Sequence, residues 1–532
     1  MHATTNDTNQ AKRRRRGIVI DVLLILCLGL VAEAAYFAPK QGRAMFTGDS
    51  VQHVDSAEAL LSGDRQPYFA FRKPGYSYIL AGLGWATGNM SWSAVVANHF
   101  FLGLLPLAAY GLSRKLLNRT AGWLAAILLI ARLQTALYGV RIMSEASFVL
   151  FLSYGALAFI HALFAKRGYR WMTAAGLLMA CAWLIRAVGV ALIGSGAIVL
   201  LLVYRKAPRK AAMSLACLML PVVCCVLFEC SINYRYSGQF RLTTGGFGMV
   251  LQTRARYFQG SDWSDDESTP WFLGLLGERT RDEAFAVNRL DGCVARARAL
   301  RGGMDEWTFN RLAKRSGLKM FWAEPLKYIK AFAVITTRHL LRRRLGPSAS
   351  WTHPTKEAPI IVHEDVRAGI DPQEHWYAYW FLPERSIDES TALVARMKQA
   401  AAQRAPFGHG GAFATLRYLN GLPSVCDVLS VIRSVAFLWP GFALILCGML
   451  GLNRRVCLFL ALAYLLDAGI VGACGSTDTD NERYQFVWLA TDTALVACLV
   501  TPILTSAVAY FQTLGRRDRA GTRGLTYLTS SK

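Results

Sequence analysis

The chain has 532 residues, 53% of them hydrophobic, with a formal net charge of +24 and a mean hydropathy of +0.28. That apolar content excludes an ordinary water-soluble protein. The charge does not point to nucleic acid, because Lys and Arg are dispersed between long apolar runs, where basic residues act as topology signals and contacts to anionic lipid.

A basic tail, residues 1–16 with Lys12 to Arg16, precedes an apolar run from Gly17 to Ala38. Ala32-Glu33-Ala34 resembles a cleavage site, but the run exceeds the apolar core of a signal peptide, so an uncleaved anchor is expected. Next comes a loop, 39–92, that mixes acids, bases and aromatics. It opens with Asp49, holds Asp55 and Glu58 on a short amphipathic segment, and reaches Arg72-Lys73-Pro74-Gly75-Tyr76. A plain linker between membrane spans needs none of these. A site that deprotonates one partner and holds an anionic one needs carboxylates and cations close together. The apolar stretch Pro74 to Gly88 is too brief to span and reads as a re-entrant or interfacial helix.

Spans are expected to begin near Gly17, Ser93, Thr120, Ser144, Trp171, Ala187, Ala211, Ser430, Val456 and Phe486, about ten transmembrane helices by length and hydropathy. Every second junction is basic: Lys12 to Arg16, Arg114-Lys115 with Arg119, Lys166-Arg167 with Arg170, Arg205 to Lys210, Arg454-Arg455, and the tail from Arg516 to Arg523. Both termini then fall inside. The fold class is an all-α polytopic membrane protein. An N-terminal transmembrane catalytic module (17–232) contains the extracytoplasmic loop, an extracytoplasmic insertion (233–429) follows, and C-terminal transmembrane helices (430–514) lead to a cytoplasmic tail (515–532).

The insertion opens with Arg241-Leu242-Thr243-Thr244-Gly245-Gly246-Phe247-Gly248 and passes an acidic patch from Asp262 to Glu267. Pro325 to Leu345 is partly apolar but carries Lys327, Lys330, Arg338 and Arg342 to Arg344, which fits an interfacial amphipathic helix better than a span. The aromatic cluster Trp376 to Phe381 suits a membrane surface more readily than a sugar face. Most of the 12 cysteines lie in apolar runs, and no CxxC, zinc or CxxCH spacing occurs. Metal and haem readings therefore fail on spacing, and whether Cys293 and Cys426 pair stays open. His53, His99 and His161 lack metal-ligand spacing and read as bystanders. Asn89-Met90-Ser91 is a glycosylation sequon on the outer side.

With that topology the unusual polar groups share one face of the membrane. They are Asp49, Asp55, Arg72, Lys73, Arg141 to Glu145, Arg186, Thr243 to Gly248, and Asp478 to Tyr484. Charges at span ends in so apolar a chain are costly and more often functional than decorative. Each also has a structural explanation. Arg141 and Glu145 are four apart, so one helix can pair them. Arg186 and Arg483 can snorkel to lipid phosphates, Pro74-Gly75 can simply break the chain before a helix, and Asp55 with Glu58 fits a solvated face. The glycine-rich turn after Thr243 offers N–H groups to an anion, a weak signal. Asp49 has no obvious helical partner.

In the order of these features the chain resembles the GT-C glycosyltransferases, membrane enzymes with polyprenyl-phosphate sugars as donors. It is most similar to the bacterial branch related to protein O-mannosyltransferases and the aminoarabinose transferase of lipid A. The resemblance rests on an early Asp in the first outer loop (Asp49), Ala59-Leu60-Leu61-Ser62-Gly63, and Lys73-Pro74-Gly75-Tyr76. It continues with Ser144-Glu145 at the head of a span, Arg186 to Gly189 between spans, and Glu482-Arg483-Tyr484 before the last span. It covers most of 17–250 and 430–510. Many relatives have two adjacent acids where this chain has Asp49-Ser50, so the second acid falls to Asp55 or Glu145, or is missing.

The resemblance implies a sugar on a polyprenyl monophosphate as donor, Asp49 as general base toward an acceptor hydroxyl or amine, and Arg72, Lys73, Arg186 and Arg483 as cations on the donor phosphate. It places Tyr76, Arg141, Ser144 and Tyr484 in the substrate pocket, invokes no metal or other cofactor, and implies a bacterial cytoplasmic membrane with the site facing outward. The partners would be the lipid-linked sugar, membrane lipids, and a glycan, lipid or protein acceptor, with no nucleic acid. Two other readings stay open. A polysaccharide polymerase would use a diphosphate-linked donor and arginine-rich outer loops. A transporter or flippase for a lipid-linked sugar would show polar groups deep in the spans, for which Asn98 and His99 are modest support.

Overall fold

Backbone amides in lipid have no water to bond, so apolar runs satisfy them internally as helix. The computed structural model describes residues 3–37, 48–63, 72–131, 141–165, 168–243, 302–323 and 454–474, with isolated positions between these stretches and at 325–333 and 490–509. Every regular element of appreciable length among them is helical. In chain order these are α1 (Ala3–Phe37), α2 (Gly48–Ser62), α3 (Pro74–Thr87), α4 (Met90–Leu116), α5 (Arg119–Ile130), α6 (Glu145–Phe164), α7 (Gly168–Ile185), α8 (Val190–Val203), α9 (Pro208–Ser237), α10 (Glu306–Ala323) and α11 (Arg454–Cys474).

The boundaries follow local chemistry. Pro74 opens α3, where its missing N–H costs nothing, and Gly88 closes it in the left-handed region at φ 69°. Asn89 and Asn118 cap the next two helices, accepting from the Trp92 N–H at 3.0 Å and the Ala121 N–H at 2.9 Å, as side-chain oxygens at this position commonly do. The short helix expected from Pro74 is therefore present, bounded by its own sequence signals.

Four helices among the described residues are long and apolar enough to cross a bilayer: Arg16–Ala35 within α1, Met90–Leu116, Glu145–Phe164 and Pro208–Ser237. The chain is accordingly a mostly helical, multi-pass membrane protein. The spans expected near Thr120 and Ala187 correspond to helices of 12 and 14 residues. As helix these reach only about 18 and 21 Å, against a hydrocarbon core of about 30 Å. The span expected near Val456 is α11, helical positions occur between 490 and 509, and the span expected near Ser430 lies outside the described residues. The last long helix of the N-terminal half runs past 232 to Ser237, where Gly238 ends it at φ 69°.

An antiparallel seam joins α1 to α4. At one end Asp21 accepts from the Tyr110 hydroxyl at 2.6 Å and from Arg119 Nη2 at 2.6 Å. In the middle Gly29 lies so close to Gly103 that a Cβ would stand 2.3 Å from the Gly103 carbonyl oxygen. At the other end His99 Nδ1 lies 2.8 Å from Glu33 Oε2, both side chains buried. Partner numbers rise on one helix as they fall on the other, the signature of antiparallel neighbours in fixed register. His99, expected to be a bystander, is thus one rung of this seam, and Ala32 to Ala34 lies within the helix.

A second layer packs α7 between α6 and α9. Gly176 permits it, since a Cβ there would meet the Leu218 carbonyl oxygen at 2.2 Å. Small residues at crossings are how membrane helices approach closely. Phe159 of α6 stacks on Phe459 of α11 at 4.4 Å, tying the C-terminal part to the same core. We expect Gly176→Ala to cost about 1–3 kcal/mol, the usual penalty of overpacking. It should appear as a lower unfolding midpoint in detergent. Gly82→Ala, where a Cβ meets nothing within 4 Å, should leave the midpoint unchanged or raise it.

Candidate active site

The polar groups singled out in the sequence meet where the start of α3 abuts the end of α7. Gly75 makes the approach possible: a Cβ there would stand 2.8 Å from the Leu184 carbonyl oxygen and 3.0 Å from the Ile185 nitrogen. From the other side the turn Ala187–Gly189 folds back on the same helix end, and a Cβ on Gly189 would lie 2.8 Å from the Trp183 nitrogen. The glycines of Lys73-Pro74-Gly75-Tyr76 and of Arg186 to Gly189 therefore serve one junction. Each allows its motif's cation to sit beside it.

Lys73 precedes α3 and is buried at 7% exposure. Its ammonium donates to both oxygens of Glu229 on α9, each at 2.8 Å, and lies 3.9 Å from the Trp183 ring centroid, within cation–π range. Glu229, at 0% exposure, also accepts the Thr243 backbone N–H at 2.7 Å. Burial pushes the Lys73 ammonium below the ordinary lysine value, and the adjacent Glu229 carboxylate works in the opposite direction. Thr243 donates its hydroxyl to the Phe69 carbonyl at 2.8 Å and accepts from Asn233 Nδ2 at 3.2 Å. The Thr243 N–H, expected to be available to an external anion, is used on this internal one. Residues 244–248 of the glycine-rich turn lie outside the described residues.

Arg186, at the end of α7, donates from Nη1 to Glu145 Oε1 at 2.6 Å, and its guanidinium lies 5.8 Å from the Phe148 ring. The helix bearing Glu145 begins at that residue, with Ser144 as its N-cap, so its carboxylate sits at the favourable end of the helix dipole. Arg141 precedes α6 rather than sharing it, which removes the expected pairing of Arg141 with Glu145 within one helix. Asn98 Nδ2 donates to the Arg141 carbonyl at 2.6 Å, and the Arg141 guanidinium lies 5.1 Å from the Tyr138 ring.

Helix α2 forms the near wall. Arg72 Nε donates to Gln52 Oε1 at 2.6 Å. His53 meets Tyr76 edge to face at 5.1 Å, and its Nδ1 lies 3.4 Å from Ser77 Oγ. Asp49 falls in the first turn of α2, one turn ahead of Gln52 and His53; its side chain lies outside the described residues. Asp55 is at 0% exposure, so the solvated-face expectation is wrong for it: α2 packs on α3 and turns this carboxylate inward, while Glu58 stays half-buried. Arg483 and Tyr484 lie outside the described residues, as do Cys293, Cys426 and the aromatic cluster from Trp376.

The structure thus brings together Arg72, Lys73 and Tyr76 on one side and Arg141, Ser144, Glu145 and Arg186 on the other. Sequence reading missed Glu229, Trp183 and Gln52, and took Asn98 only as a polar group within a span. Glu229 carried a usable signal, an acid inside an apolar run; Trp183 and Gln52 carried none. Among the described residues no group of three or more His, Cys, Asp or Glu side chains is placed to hold a metal ion.

Four helices of this length, with the ion pairs of Lys73 and Arg186 at one junction between them, define a multi-pass membrane protein with a buried polar cluster. Residues 64–229 match the family model of dolichyl-phosphate-mannose-protein mannosyltransferases, a stretch that includes most of the residues on which the resemblance rests. No curated protein matches it in sequence. Solved structures with some likeness include the apo oligosaccharyltransferase of Archaeoglobus fulgidus, at 12% identity, TM-score 0.43, and coverage of 93% of this chain and 52% of that one. They also include ArnT of Cupriavidus metallidurans bound to undecaprenyl phosphate, at 15% identity, TM-score 0.34, and coverage of 89% and 77%. A third is the Archaeoglobus fulgidus AglB in complex with an inhibitory peptide and a dolichol-phosphate, at 11% identity, TM-score 0.37, and coverage of 93% and 52%. The chain spans about half the length of the archaeal enzyme it matches.

Removing one partner of a buried ion pair strands the other charge. Glu229→Ala should therefore destabilise the protein by about 3–5 kcal/mol, read as a lower unfolding midpoint in detergent. Adding Lys73→Met should restore most of the loss. A double variant as unstable as the sum of the singles would assign the loss to something other than the pair.

Proposed function

We propose that the protein transfers a sugar from a polyprenyl-phosphate donor to an acceptor hydroxyl or amine on the extracytoplasmic side of a bacterial cytoplasmic membrane. The observation that carries this reading is a coincidence of position. The stretch matching the mannosyltransferase family, 64–229, contains Lys73, Tyr76, Glu145, Arg186 and Glu229, the residues the helix junction gathers. The family's description names a polyprenyl-type phosphate sugar as donor.

In this mechanism Asp49 takes the proton from the acceptor as its oxygen or nitrogen attacks the anomeric carbon. The bond to the phosphate oxygen breaks, and the electron pair leaves with polyprenyl phosphate. Attack opposite the leaving group inverts the anomeric centre. Arg72, Lys73, Arg186 and Arg483 are the cations assigned to the phosphate, with Asp55 or Glu145 as the second acid if one is used. Tyr76, Arg141, Ser144 and Tyr484 complete the sugar pocket. Glu145 and Glu229 hold two of the cations in place before the donor arrives, and preorganised charge of this kind stabilises a developing anion without reorganisation at the moment of reaction. The lipid-linked sugar is substrate, and no metal or other cofactor is assigned a role.

One observation favours a second reading. Asp467 lies well inside α11 and is buried at 3% exposure, the kind of intramembrane acid a carrier for a lipid-linked sugar would use. Purified protein in nanodiscs, given a panel of polyprenyl-phosphate sugars and membrane acceptors, should release free polyprenyl phosphate. Asp49→Asn should lower that release by roughly 10²–10⁴-fold, the usual value of a positioned base, while donor binding persists. Turnover unaffected by the substitution would remove Asp49 as the base. Movement of the donor across liposomes without any turnover would replace transfer with carriage.

A further inference from the structure

The helix Glu306–Ala323, within the insertion, is two-faced in a way the transfer reaction does not use. Trp307, Phe309, Asn310, Ala313 and Ser316 are buried, and Arg296 holds Glu306 through Nε at 2.9 Å. The opposite face carries Arg311, Lys314, Arg315, Leu318, Lys319 and Trp322 along an open groove of about 630 Å³. Residues 307–323 include no acid, so the helix face itself carries only basic charge. Leu318 and Trp322 are 40% and 73% exposed, and just beyond the helix Leu326 and Ile329 are 80% and 52% exposed.

We propose that this face binds the anionic headgroups of the membrane surface, with the helix lying in the interfacial plane. Cations repeating at helical spacing attract phosphates, each basic residue near an anionic surface contributing about 1 kcal/mol. Between and beyond them, exposed Leu, Trp and Ile side chains bury at the headgroup and acyl boundary, where Trp is favoured. An acidic polypeptide would satisfy the cations but leave the exposed Trp322, Leu326 and Ile329 without apolar cover. A free phosphate would leave them in water. Charge and apolar exposure on one face together select lipid. The assignment is independent of the sugar-transfer chemistry, since none of these residues is assigned a part in it.

Hydrogen exchange of the full-length protein in nanodiscs tests it. Amides of 306–323 should exchange several-fold more slowly in discs of phosphatidylcholine with phosphatidylglycerol than in phosphatidylcholine alone, and added salt should erase the difference through screening. The combined substitution Arg311→Gln, Lys314→Gln, Arg315→Gln and Lys319→Gln should also erase it, with exchange in α4 unchanged as a check on folding. The salt series on the unaltered chain needs no variant. Equal exchange in the two lipids would overturn the proposal, as would a difference that survives both salt and substitution. Protection in phosphatidylcholine discs by inorganic phosphate, or by polyglutamate, with no effect of phosphatidylglycerol, would overturn the lipid assignment in favour of a free-anion or acidic-protein site.

Discussion

A lysine ammonium taken out of water must find an anion nearby, and much of the site can be traced to how Lys73 meets that requirement. Its partner, Glu229, is 156 residues away in sequence and accepts two hydrogen bonds from it. That pairing positions the far end of α9 against the start of α3 and brings the chain back to Thr243. The cost of burying two charges is recovered only when the geometry is good and the remaining lone pairs are occupied. Here the Thr243 N–H on Glu229 and the Trp183 face on Lys73 meet that condition. Arg186 and Glu145 repeat the arrangement on the other side of the same helix end. Two buried ion pairs flanking one junction make its geometry expensive to change.

The seam between α1 and α4 shows the same economy in a different setting. Apolar side chains alone do not select a register in lipid, because tails and side chains are equally apolar. Asp21 with Tyr110, Gly29 with Gly103, and Glu33 with His99 supply it instead: a polar contact at each end and a close backbone approach between them. A shift of one residue would break both polar contacts and drive a side chain into the Gly29–Gly103 crossing. The two layers of the bundle are thus held in register by charged or small residues, with hydrophobic area filling in around them.

Much of this was legible in the sequence, and the reasons divide cleanly. Hydropathy located the described helices, and Pro74 with Gly88 bounded the short one, because those signals are local. The cations at the junction were legible because charge is conspicuous in an apolar chain. Of their partners, Glu145 was named from the sequence and Glu229 was not. Glu229 stood out only as an acid inside a run read as a span, and nothing local says that Thr243 returns to it. Asp55 was read as a solvated face because amphipathic spacing does not reveal which side a partner covers, and α3 covers the side it occupies. Arg141 and Glu145 had the right spacing for a helical pair, but the helix starts at Glu145 and leaves Arg141 ahead of it. Pairings over long sequence separations belong to the tertiary structure, and those are what make the site.

The return of the chain from Gly238 to Thr243 has a mechanical consequence. Asn233 braces this short stretch by donating to the Arg241 carbonyl at 2.7 Å and to the Thr243 hydroxyl, and the Thr243 N–H ends on Glu229. The end of this described stretch and the counter-ion of Lys73 are therefore joined by the Thr243 N–H hydrogen bond. A displacement of Thr243 would remove a hydrogen bond from Glu229 and load Asn233 of α9 together. The stretch thereby ties the chain that follows α9 to the charge balance at the helix junction.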